Sequence, residues 1–89
     1  MTDSKTLEVS FQGSDDDRNL YTVIHNPELL SMGLHRQIMR YGLIGPSARH
    51  PEVHGTLKGS RHAFMEMILT YGLTVQVVPY RETSFDNVR

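Results

Sequence analysis

The chain has 89 residues, no cysteine and a formal net charge of −1. That is one domain, without a disulfide framework or a thiolate metal site, and without a general electrostatic pull toward nucleic acid. No apolar run approaches the roughly 18 residues of a membrane span, and Met1-Thr2-Asp3-Ser4-Lys5 lacks the basic-then-apolar form of a signal peptide, so a cytoplasmic protein with no membrane partner is expected.

A domain this small buries only roughly 60% of the surface its unfolded chain exposes. A homodimer is therefore expected to supplement the core. The whole of 1–89 is read as a single domain, with flexible polar ends at 1–6 and 82–89.

Leu7, Val9 and Phe11 alternate with Glu8, Ser10 and Gln12, the period of a half-buried strand. The string Leu7-Glu8-Val9-Ser10-Phe11-Gln12-Gly13-Ser14 also resembles a picornaviral protease cleavage sequence, from which Ser10 and Ser14 depart. A native strand is the preferred reading. Ser14-Asp15-Asp16-Asp17-Arg18-Asn19 is an acidic, turn-rich connector. Three adjacent aspartates do not match the alternating acids of a calcium loop. Residues 20–25 are rich in strand formers and should close a hairpin with the first strand.

Asn26-Pro27-Glu28 has the form of a helix start: a capping side chain, proline at the first helical position, then an acid. Leu30, Leu34, Ile38 and Tyr41 would form the buried stripe of that helix, with Gly33 beside it allowing a neighbour to come close. Arg36 and Arg40 fall on its polar side, toward the negative end of the helix dipole. Residues 43–52 hold two prolines and a glycine and read as a loop, with a short strand at Leu43-Ile44.

The stretch 53–80 is the most legible. Val53, Gly55 and Leu57 alternate as a strand, Gly59 breaks it, and Ser60 is a good N-cap. Phe64, Met67, Ile68 and Tyr71 follow at helical spacing, with Met65 and Leu69 widening the stripe. Gly72 is placed to stop the helix and Leu73 to pack back on it. Leu73, Val75 and Val77 alternate as a last strand, which Pro79 ends. Phe85 and Val88 could tether the polar tail. Tyr41-Gly42-Leu43 and Tyr71-Gly72-Leu73 stand thirty residues apart. They suggest either two strand–helix–strand halves or merely the same helix stop used twice.

The expected fold is α+β: a four- to five-stranded, mostly antiparallel sheet with two helices on one face, ferredoxin-like or related. The strand–helix–strand order resembles that of acylphosphatase. The aspartate run stands where that enzyme cradles phosphate, so the activity is not expected.

No catalytic motif stands out, and no cofactor is implied. His50 and His54 are four apart, but Pro51 separates them from a zincin pattern and no cysteine completes a structural zinc site. A sheet with one face uncovered could stack RNA bases on Tyr21 and Tyr80, with His54, Lys58 and Arg81 nearby. The glycine- and phenylalanine-rich consensus of RNA-recognition strands is missing. Partner contact is instead expected at Arg36, Arg40, Arg61, His62 and Tyr80, on exposed helix faces, a helix start and the sheet.

Several strings carry a family resemblance: Val9-Ser10-Phe11, Leu34-His35, Leu69-Thr70-Tyr71-Gly72, Val77-Val78 and Arg81-Glu82-Thr83-Ser84-Phe85. With the overall layout they resemble the small host-takeover proteins of T-seven-like podophages that bind the nucleoid silencer H-NS. The resemblance implies a phage-encoded, non-enzymatic inhibitor that relieves silencing by direct contact with a host nucleoid-associated protein. It also makes some association with transfer RNA plausible. The family's charged C-terminal tail is not matched here, and Tyr71 stands where a histidine is found. The resemblance carries no functional residue over.

Overall fold

The computed structural model describes residues 5–13 and 18–79. The chain runs β1 (Thr6–Gln12), β2 (Tyr21–Ile24), a 3-10 turn (Pro27–Leu29), α1 (Met32–Arg40), β3 (Val53–Thr56), α2 (Arg61–Leu69) and β4 (Thr74–Val77). This is the expected α+β class. The four strands form one mixed sheet in the order β3-β2-β1-β4. β1 pairs antiparallel with β2, and β2 antiparallel with β3, while β1 and β4 are parallel. β3 and β4 therefore run the same way at opposite edges, and α2 carries the chain from one edge to the other, as parallel strands require.

Ladder register explains the two faces. Val9 stands opposite Ile24, and Ile24 opposite Val53. Together with Leu7 these residues face the helices, and Leu34, Ile38, Phe64 and Ile68 close over them in one fully buried cluster. The rings of Phe11 and Tyr41 meet Phe64 edge-on at centroid distances of 6.4 and 5.5 Å, a favoured aromatic geometry. The segment that resembles a protease site is thus the strand at the heart of the sheet.

Several elements differ from the sequence reading. A helical turn does start after Asn26, with Pro27 in first position and Glu28 behind it, but it is the 3-10 turn Pro27–Leu29, and α1 begins only at Met32. The Asn26 side chain is spent elsewhere: its Oδ1 accepts the Glu8 N–H at 2.8 Å and its Nδ2 donates to the Thr6 carbonyl at 2.9 Å, tying the turn to β1. Ser31 caps the helix instead, accepting the Leu34 N–H, so Leu30 precedes the helix while still packing on the core. Tyr71 and Leu69 do not join the buried stripe of α2; they are 42% and 52% exposed. Tyr71 lies past the end of that helix, and a Cβ on Gly33 would sit 3.6 Å from its ring. That is ordinary van der Waals contact, so the close approach expected at Gly33 is not found: a side chain would fit there.

Ser60 caps α2 through the Ala63 N–H, as expected. Gly42 and Gly72 both have positive φ, at +103° and +86°, and both helices stop there. The two strand–helix–strand passages are nevertheless different units, since the first joins antiparallel strands and the second parallel ones. Leu43-Ile44 contributes a single bridge, Ile44 to His54, along the outer edge of β3. The N-terminal segment expected to be flexible, 1–6, is ordered at its end: Thr6 pairs with Thr74 in the β1–β4 ladder, and the Lys5 carbonyl accepts the Thr74 N–H at 2.9 Å. Residues 1–4 and 82–89, the aspartate run, and Phe85 and Val88 fall outside the described residues.

Candidate functional site

Among the described residues, two regions gather polar and charged side chains outside the apolar core. The first is the outer surface of α1. Leu34 and Ile38 point into the core, so a residue rotated half a turn from them points straight out. Met32, Arg36, Met39 and Arg40 all fall in an arc of about 100° centred on that outward direction. Met32 is 76% exposed and Met39 51%. Both arginines are exposed, and among the described residues neither makes an ion pair. The helix itself contains no acid (Met-Gly-Leu-His-Arg-Gln-Ile-Met-Arg).

Helix α2 treats its charges differently. His62 and Glu66 face each other one turn apart at 3.2 Å, and the Arg61 guanidinium lies 5.7 Å from the centroid of the Phe11 ring, a cation–π distance. Arg61 and His62 are thus on the surface as expected, and each has a partner within the domain. Tyr80 falls outside the described residues. Of the four expected contact residues that are described, Arg36 and Arg40 share a face of α1, and Arg61 and His62 lie on α2.

The second region lies on the sheet face away from the helices. His25 Nε2 is 2.9 Å from Ser10 Oγ, and His25 Nδ1 is 2.9 Å from Glu52 Oε2. Serine, histidine and carboxylate are linked in the order that activates a nucleophile. Ser10 has no solvent exposure, so no substrate can reach its hydroxyl. It also sits mid-strand with strands on both sides, so nearby N–H groups belong to the ladder rather than to an oxyanion hole. Within the folded chain this relay is a clamp: it joins β1, the end of β2 and the approach to β3 through residues 15 and 27 positions apart.

Beside it, His50 stacks on His54 with ring centroids 3.8 Å apart, and His54 Nδ1 meets the Tyr21 hydroxyl at 3.1 Å. Burial, with His50 close by, holds the His54 pKa below the ordinary histidine value, although Glu52 pulls the other way. Among the described residues no group of three or more histidines, aspartates and glutamates could hold a metal ion. Ser10 and Val23, at the centre of this face, are buried, and Tyr21 is held by His54. The face is therefore less open than a bare base-stacking platform.

A cavity of about 400 Å³ is lined by Glu8, His25, Val78 and Pro79. A second, smaller cleft of about 210 Å³ lies at the start of α1, lined by Pro27, Leu30, Ser31, Met32, His35 and Pro46. Among the described residues no helix is long and apolar enough to cross a membrane. No family model, no curated protein and no solved structure matches the chain.

Proposed function

We propose that this protein acts in the cytoplasm by binding another protein, without bond-making of its own. The observation that carries the reading is the outward face of α1, where two methionines and two arginines without ion pairs among the described residues point away from the core. Exposed apolar side chains flanked by charged residues on one helix face are the composition of a protein-interaction surface. Methionine is suited to such a surface because its unbranched, polarisable side chain adapts to a partner. The burial of Ser10 supports the non-enzymatic half of the reading.

The partner we propose is a bacterial nucleoid-associated protein of the H-NS type, with this chain as a phage-encoded inhibitor of silencing. Support for that identity comes from the short strings from Val9-Ser10-Phe11 to Arg81-Glu82-Thr83-Ser84-Phe85. Homodimerisation is part of the proposal. Among the described residues the outer edge of β4 has no ladder partner, and Val77 there is 52% exposed; an open edge is a ready template for a second strand.

The test is affinity capture from bacterial lysate, with and without ribonuclease, followed by mass spectrometry. The expected result is enrichment of a DNA-associated protein that survives ribonuclease. Recovery of no protein above background, with tight and steeply salt-dependent RNA binding instead, would overturn the reading in favour of RNA.

A further inference from the structure

The α1 surface has a chemistry specific enough to define what covers it. Met32 and Met39 are seven residues apart, two helical turns or about 10 Å along the axis. Arg36 and Arg40 stand between and beside them. The cleft against Pro27, Leu30 and Pro46 opens next to Met32 and could take one apolar side chain. A partner for this strip must present apolar groups at two-turn spacing and negative charge alongside them.

We infer that the occupant is an acidic amphipathic helix of the partner protein, laid along α1. Its apolar stripe contacts Met32 and Met39 and drops one side chain into the cleft, and its flanking carboxylates meet Arg36 and Arg40. This rests on the protein-binding reading above and adds the surface and the partner's chemistry. Two features favour it. The charge is local: the whole chain has a formal net charge of −1, yet α1 holds two arginines and no acid. The contrast with α2 is internal to the fold, since α2 sets its His62 against its own Glu66 while α1 offers its arginines no acid. Helix recognition reads positions at i, i+3, i+4 and i+7; the two methionines occupy i and i+7 of that set, with Arg36 at i+4.

The test uses two synthetic amphipathic peptides of about 18 residues with the same leucine stripe, one flanked by glutamate and one by lysine. Each is titrated into isotopically labelled protein and followed by amide chemical shifts. The glutamate peptide should perturb the amides of α1 and its cleft and should weaken as salt rises. It should bind R36E/R40E about tenfold more weakly. M32S/M39S, which touches no buried residue, should also bind it more weakly while keeping a native circular dichroism spectrum.

Equal binding of both peptides, shifts confined to β4, or no shifts at all would overturn the inference. So would binding of anionic phospholipid vesicles that requires the same arginines while the glutamate peptide does not bind. Lysate capture repeated with R36E/R40E separates the two levels. A partner held by wild type and equally by the variant refutes this surface but not protein binding, whereas no partner for wild type refutes protein binding itself.

Discussion

The Ser10–His25–Glu52 relay makes a sharp energetic prediction, because its two ends are unequally buried. Replacing Ser10 with alanine removes one hydrogen bond but strands nothing, since His25 lines a cavity and can turn to water. The cost should be about 0.5–1.5 kcal/mol. Replacing His25 with leucine is different. Glu52, whose side chain is 27% exposed, can rehydrate, but the Ser10 hydroxyl is left in a site with no solvent exposure. Stranding a buried hydroxyl costs about 1–3 kcal/mol. H25L should therefore be worse than S10A, and S10A/H25L should recover part of the H25L loss. The predicted coupling is on the order of 1 kcal/mol. For a domain of this length each kcal/mol moves Tm by about 4–8 °C, so the order is readable by thermal melts and urea titrations of the three variants. Additive losses, or S10A costing more than H25L, would refute the clamp. Labelling of Ser10 in the folded protein by a fluorophosphonate would refute it more directly, because a reagent would have reached a hydroxyl argued to be sealed.

Three further outcomes follow from the packing. Phe64→Ala empties the site where Phe11 and Tyr41 meet the core and should cost about 3–5 kcal/mol, a large share of the roughly 4–13 kcal/mol expected for such a domain; calorimetry should show a much weakened transition. Gly42→Ala should be clearly worse than Gly72→Ala in urea titrations. Both positions have positive φ, but a Cβ at Gly42 would lie 2.6 Å from the Thr56 carbonyl, whereas at Gly72 nothing lies within 4 Å. For His54, burial and His50 depress the native pKa from the ordinary 6.5, so the native state holds fewer protons than the unfolded chain below that value. Stability from this group is full above 6.5 and falls as pH drops from there through the depressed native value. His54→Asn should flatten that part of the urea-midpoint profile.

The sequence was most legible where one physical cause acted locally. Ser60 could be recognised as a cap because its partner N–H is only three residues away. Phe64 and Ile68 declared their burial through helical spacing alone. Gly42 and Gly72 marked their helix ends because few residues tolerate that backbone conformation. Legibility failed where a side chain had a long-range alternative. Asn26 has every local feature of a cap, yet bridging Glu8 and Thr6 across the turn took it away from the helix and left the capping to Ser31. Tyr71 keeps helical spacing with Ile68 but lies beyond the last helical residue, so periodicity no longer governs where its ring goes.

The candidate site divides along the same line. Arg36 and Arg40 could be named from spacing, whereas Met32 and Met39 are not singled out by the sequence reading, because it starts the helix at Asn26 and follows its exposed face only through its charges. What spacing could not supply was the contrast with α2, whose His62 and Arg61 are engaged by Glu66 and Phe11. The Ser10–His25–Glu52 relay left no local signature, because only the ladder register brings those residues together. That contrast decides how to weigh the two clusters. The polar one is spent on holding three strands in register, and removing it should be felt as stability. The α1 strip contributes nothing to the core, so M32S/M39S should leave the melt nearly unchanged, as surface substitutions generally do within about 0.5 kcal/mol. Binding without folding cost is what separates a recognition surface from a structural one. A large drop in Tm for M32S/M39S would place those methionines in the fold and remove the argument for a partner.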